Sequence, residues 1–143
     1  MPNLTTTVQC FSDGAWDNAT GRGGMGWIIQ NQEGATLLQG SSHRCYVASA
    51  MVAEALAMKE AISSATNAGF TDLLCLTDCK SLTDLITVNS SVTAIQGILH
   101  DVDVMSRYLN SISFSFIPRI KNKAADRLAK AGLVVASLNS VML

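Results

Sequence analysis

A chain of 143 residues, 48% hydrophobic and 15% charged, can bury one core, and two prolines with no low-complexity run exclude a disordered or linker-like chain. The formal charge of −1 by itself argues against a nucleic-acid binder, an objection that weakens if four of the 11 acids are metal ligands. Apolar runs fall far short of the roughly 20 residues that span a bilayer, and Met1 to Leu4 has neither the basic start nor the apolar stretch of a signal peptide.

One soluble domain over residues 1–143 is therefore expected, alone or set within a longer protein. An intracellular compartment is expected too, with nucleus, cytoplasm and a nucleic-acid-containing organelle not separated by the sequence. Nothing calls for an obligate oligomer or a membrane. Cys10, Cys45, Cys75 and Cys79 show no paired spacing and no His cluster, so they read as reduced core thiols.

In chain order, the β-branched and aromatic residues from Thr5 to Ser12 read as a strand ending at Asp13. Residues 17–24, rich in Gly and Asn, read as a turn. Met25 to Gln30 and Ala35 to Ser42 read as strands joined at Asn31 to Gly34, completing an antiparallel meander with Trp27 in its core. Val52, Ala55, Leu56, Ile62 and Ala65 mark a helix from Ser49 to Ala68, closed by Gly69, with Glu54 in its first turns. Leu73 to Thr77 is uninterruptedly apolar, as a parallel central strand requires, and Asp78 follows it where a helix from Lys80 to Ile86 begins. Val92, Ile95, Leu99, Val102 and Leu109 mark an amphipathic helix with His100, Asp101 and Asp103 outward. Phe114 and Phe116, alternating with Ser113 and Ser115, form a last strand that Pro118 ends. Asn122 is the expected N-cap of a final helix that presents Asp126 and extends into, or leaves free for a contact, the apolar tail from Leu133 to Leu143.

The order βββαβααβα implies an α/β fold: a five-stranded mixed sheet, three antiparallel strands then parallel ones, with helices on both faces. It can gather Asp13, Glu54, Asp78 and Asp126 at one edge. Carboxylates within apolar segments are seldom left unpaired, because burial costs several kcal/mol without compensation, so four of them ask for a shared cation. Half of the ten basic residues, Arg119, Lys121, Lys123, Arg127 and Lys130, crowd into twelve positions beside the last of these acids. A basic rim at an acidic pocket suits a phosphodiester substrate. Gly14 would let backbone approach whatever Asp13 holds. His43 and His100 read as surface residues, and Cys79 as packing.

Four segments then carry a resemblance: Asp13-Gly14-Ala15-Trp16, Ala53-Glu54-Ala55, Leu76-Thr77-Asp78-Cys79-Lys80-Ser81, and Asn122-Lys123-Ala124-Ala125-Asp126-Arg127-Leu128-Ala129. In this order they resemble the ribonuclease H family, type 1, in its short reverse-transcriptase-like form without a basic handle helix. The resemblance implies an endonuclease that hydrolyses the RNA strand of an RNA/DNA hybrid with two Mg²⁺ ions, Mn²⁺ substituting. It maps the metal-binding and catalytic tetrad onto Asp13, Glu54, Asp78 and Asp126. Asp13 would bridge the ions, Asp126 would serve the one on the attacking side, and Glu54 with Asp78 the one on the leaving 3′ oxygen. Candidate contacts to the hybrid are Gly14, Lys80, Arg119, Lys121, Asn122, Lys123 and Arg127. The family's loop histidine is missing from Ile117-Pro118-Arg119-Ile120-Lys121, and Ala50 and Met51 stand where polar hybrid contacts often precede the glutamate. A binding module with little turnover is the alternative. Exonucleases carry a second acid where this chain has Ala15, and integrases place their glutamate last.

Overall fold

Strand β1 (Val8–Trp16) is central because its two edges find different partners. The structure, a computed structural model, describes residues 6–88 and 93–142; the expected strand start at Thr5, the helix marker Val92, and Met1 to Leu4 and Leu143 lie outside them. Along one edge β1 pairs antiparallel with β2 (Gly23–Gln30) from Gln9↔Gln30 to Trp16↔Gly23. Along the other it pairs parallel with β4 (Asp72–Thr77) only from Val8↔Leu73 to Phe11↔Leu76. The expected strand end at Asp13 is thus corrected: β2 holds the strand to Trp16, while Asp13 lies two positions past the last β4 pair.

With β3 (Thr36–Arg44) and β5 (Ser111–Phe116) the sheet order is β3-β2-β1-β4-β5, and β5 runs parallel to β4. The first turn is shorter than expected, because Asp17 accepts from the Ala19 N–H and the Thr20 hydroxyl and lets β2 begin at Gly23. On the last strand Ile112 and Phe114 are half-buried, but Phe116 is 47% exposed, against expectation, at the end of an edge strand. Trp27 is likewise only partly buried, at the margin of the core.

Helix α1 (Ala50–Asn67) begins where Ser49 Oγ accepts the Val52 N–H at 3.2 Å. It ends in a Schellman closure: Gly69 takes φ 96°, its N–H donates to Thr66 O, and the Phe70 N–H donates to Ala65 O. Its alanines, Met58 and Ile62 share one core cluster with Ile29 and Leu73 of the sheet. Helices α2 (Lys80–Val88) and α3 (Thr93–Ser106) follow, and Lys59 Nζ on α1 reaches Asp101 on α3 at 2.7 Å. Helix α3 stops at Ser106 rather than reaching Leu109, since the chain turns there to let the Asn110 N–H meet Thr71 O.

A 3₁₀ turn, Arg119–Lys121, leads into α4 (Lys123–Met142), which lies across β2, β1 and β3 on the face opposite α1. The apolar tail therefore prolongs α4; Ala136 is buried, whereas Val134, Val135 and Leu138 are exposed. All four cysteines are free; Cys10 and Cys75 face one another in the β1–β4 ladder as core thiols, but Cys45 is exposed. Among the described residues no helix is long and apolar enough to cross a membrane.

Candidate metal centre

Where β1 and β4 part, one oxygen from each of Asp13, Glu54 and Asp78 lies within 4.8 Å of the others. Gly14 explains how Glu54 gets there. A Cβ at Gly14 would sit 2.5 Å from Ala53 C and 2.6 Å from Glu54 N, so only glycine lets α1 lie this close to β1. The backbone that Gly14 admits here is that of α1. On the opposite face Gly26, the ladder partner of Asp13, has Ala125 O and Ala129 N at 2.4 Å from its would-be Cβ. That approach carries Asp126 to the same strand.

Asp126 is not one of the three carboxylates within 4.8 Å, and its Oδ2 accepts from Lys130 Nζ at 3.0 Å. It still neighbours Asp13 closely enough to raise that group's pKa. Asp78 follows Thr77, whose hydroxyl accepts the Cys79 N–H at 3.1 Å and so shapes the bend. Asn122 Nδ2 donates to Ser12 O at 2.9 Å and to Asp78 Oδ2 at 3.1 Å. Asn122 stands at the N-cap position of α4, its carbonyl accepting the Asp126 N–H, but its side chain is buried and points to the strands instead of capping the helix. The reason is long-range: the amide's acceptors, Ser12 O and Asp78 Oδ2, are far from it in sequence. Nothing in residue type separates these roles, although Gly24 and Gly26 within one strand do signal a close neighbour.

The charges are set against one another. Burial, then the charges of Asp78 and Asp126, push Asp13 up to about 7, a hydrogen bond from Glu54 opposing them. Burial first, and the Asp13 charge second, push Glu54 up to about 10. Glu54 Oε2 is buried with no hydrogen-bond partner. Burial also pushes the Cys79 thiol up, so it stays protonated and offers no thiolate. An orphaned buried carboxylate oxygen, two more acids in reach and an all-oxygen donor set fit a hard divalent cation such as Mg²⁺ or Mn²⁺.

In chelator the raised pKa values give a testable sign. Folded Asp13 and Glu54 hold protons that the unfolded chain releases, so their stabilisation is full below about pH 4, the ordinary carboxylate range, and fades as pH rises. The melting temperature of the metal-free protein, taken relative to an Asp13→Asn variant, should fall steadily from pH 4 through about 7. Excess divalent cation should abolish that slope, and a difference that rises with pH would refute the electrostatic reading.

Arg119, Lys121, Lys123, Arg127 and Lys80 are all exposed. The first four lie within five positions of Asn122, and Lys80 opens α2 two residues after Asp78. Lys130 is tied to Asp126. His43 and His100 are exposed, as expected. A cavity of about 590 Å³ among Leu85, Ile86, Leu99 and Phe114 is lined by none of the four acids.

This five-stranded mixed sheet with its helices matches solved ribonuclease H domains. The N-terminal RNase H domain of rv2228c from Mycobacterium tuberculosis has a TM-score of 0.87 at 20% identity, with 95% of this chain and 99% of that one covered. RNase H1 from the archaeon Halobacterium salinarum gives 0.82 at 22%, covering 89% and 97%. LC11-RNase H1, isolated from compost by a metagenomic approach and solved with an RNA/DNA hybrid, gives 0.82 at 20%, covering 90% and 98%. The chain has the ribonuclease H fold, as its motifs implied. It belongs to the reverse transcriptase-like family, whose profile matches residues 11–132. No match was found among curated proteins.

Proposed function

We propose that this domain is a divalent-metal-dependent endonuclease acting on the RNA strand of RNA/DNA hybrids. The observation that carries the reading is the trio Asp13, Glu54 and Asp78 within 4.8 Å, with Glu54 Oε2 buried and unpartnered, set in a ribonuclease H fold. A neighbour of that fold, LC11-RNase H1, holds an RNA/DNA hybrid, which supports the substrate class. Asp13, Glu54 and Asp78 would hold Mg²⁺ or Mn²⁺, with Asp126 completing the set from α4. Two such ions, when bound, supply Lewis-acid stabilisation of the attacking and leaving oxygens of an in-line displacement at phosphorus.

The chain's own part is to keep these carboxylates poised and to seat the substrate backbone. Acids that resist ionising together without metal release that strain when a cation binds, which couples metal to fold. Exposed Arg119, Lys121, Lys123, Arg127 and Lys80 offer phosphate contacts that orient the duplex without reading its sequence. Ile117 to Lys121 contains no imidazole to move protons near the pocket, so turnover is expected to be slow.

The deciding assay incubates the domain with RNA/DNA hybrid, double-stranded RNA and double-stranded DNA in Mg²⁺, Mn²⁺ or chelator. Cleavage of hybrid RNA alone, only with metal, leaving 5′-phosphate and 3′-hydroxyl ends, is the expected result. A 2′,3′-cyclic phosphate product would reject the metal-centred reading, and hybrid binding without cleavage would favour a binding module.

The basic rim makes its own prediction. Arg119→Ala and Lys123→Ala should weaken hybrid binding for every sequence and lower the salt slope of log Kd by roughly one for each phosphate that is no longer neutralised. Metal-induced stabilisation should not change. Unchanged affinity and slope would reduce these residues to a solvated helix face.

A further inference from the structure

We propose that Asn122 is a positioning residue whose side-chain amide sets the Asp78 carboxylate against Asp13 and Glu54 by standing in for a missing rung between β1 and β4. The ladder between those strands stops at Phe11↔Leu76. Beyond it the buried Ser12 has no ladder pair on β4, and Asp78 lies in a bend outside β4. The Asn122 amide spans both, donating at 2.9 Å to Ser12 O and at 3.1 Å to Asp78 Oδ2.

A side-chain amide has two N–H donors, and here two acceptors engage it. Its own oxygen is buried with no partner, so the residue is kept at a cost for what its donors do. Aspartate at this position would oppose Asp78, and leucine would leave both acceptors unpaired. The backbone adds a second link. The Asn122 N–H closes the 3₁₀ turn on Arg119 O at 2.9 Å, and its carbonyl accepts the Asp126 N–H at 3.1 Å. One residue thus indexes the helix that carries Asp126 to the strands that carry Asp13 and Asp78.

The proposal rests on the metal-centre reading, and its test separates the two. Mn²⁺ binding is measured by calorimetry on wild type, Asn122→Ala and Asn122→Leu, each alone and combined with Asp78→Asn, with hybrid cleavage measured alongside. Loss of a residue that orients a ligand typically weakens metal binding roughly 10- to 100-fold, and that loss is expected here, with kcat falling and KM for the hybrid held. In an Asp78→Asn background the Asn122 change should cost little more, because both changes act through one carboxylate.

Wild-type Mn²⁺ affinity in a folded variant, or losses that add in full, would overturn the proposal. So would the unfolding of both Asn122 variants in chelator while wild type stays folded, since that makes Asn122 structural. If the variants lose Mn²⁺ and no form of the protein cleaves hybrid, the positioning role stands and the nuclease reading alone fails. A wild-type chain that binds no Mn²⁺ overturns both.

Discussion

Asp13→Asn should remove the fold's response to divalent cations and most of any hybrid cleavage, yet leave the metal-free protein at least as stable as wild type. The two halves of that result come from one cause. Burial and the charges of Asp78 and Asp126 oppose ionisation of Asp13, so the neutral amide relieves repulsion and offsets any hydrogen bonding it forgoes. With metal present, that same charge becomes an asset that the amide cannot supply. A ligand at about 100 times its dissociation constant stabilises the folded state by roughly 2.7 kcal/mol, a shift that thermal melts resolve easily. Wild type should show it in Mg²⁺ and Mn²⁺; Asp13→Asn and Asp78→Asn should show little. Should both variants melt well below wild type in chelator and still gain stability from metal, these acids serve the fold rather than a cation.

How far the sequence discloses this centre depends on the kind of signal. The strands and α1 are legible because their hydrophobic periods and end signals agree: Ser49 caps α1, and Gly69 closes it at positive φ. Asp13, Glu54 and Asp78 are legible as acids placed where acids are costly. Residues whose meaning depends on a neighbour distant in sequence are not legible. Asn122 looks like a helix cap from its position, and only the 110-residue contact with Ser12 turns its amide inward. Asp126 looks equivalent to the other acids, but Lys130 one turn away competes for it. Phe116 has the alternation of a buried strand residue, while its exposure is decided by its place at the end of the edge strand.

Gly14→Ala should be strongly destabilising, at about 3 kcal/mol, the upper part of the range for an overpacked core. Each of the first three atoms the new Cβ would meet, Ala53 C, Glu54 N and Ala53 O at 2.5, 2.6 and 2.7 Å, belongs to the backbone of α1. A flexible side chain could swing aside, but a helix can only move as a body. Moving α1 away from β1 draws Glu54 away from Asp13, so the variant should also bind Mn²⁺ more weakly than its reduced stability alone explains. Gly26→Ala should destabilise as well, since its Cβ would lie 2.4 Å from Ala125 O, but it displaces α4 and Asp126 and leaves Glu54 in place. Gly97→Ala is the control: nothing lies within 4 Å of its Cβ on α3, and replacing a helical glycine there should stabilise by about 0.5–1 kcal/mol. Urea melts of the three variants, with and without Mn²⁺, measure both effects. If Gly14→Ala melts with wild type and binds Mn²⁺ equally well, the approach of α1 is not what brings Glu54 to the centre.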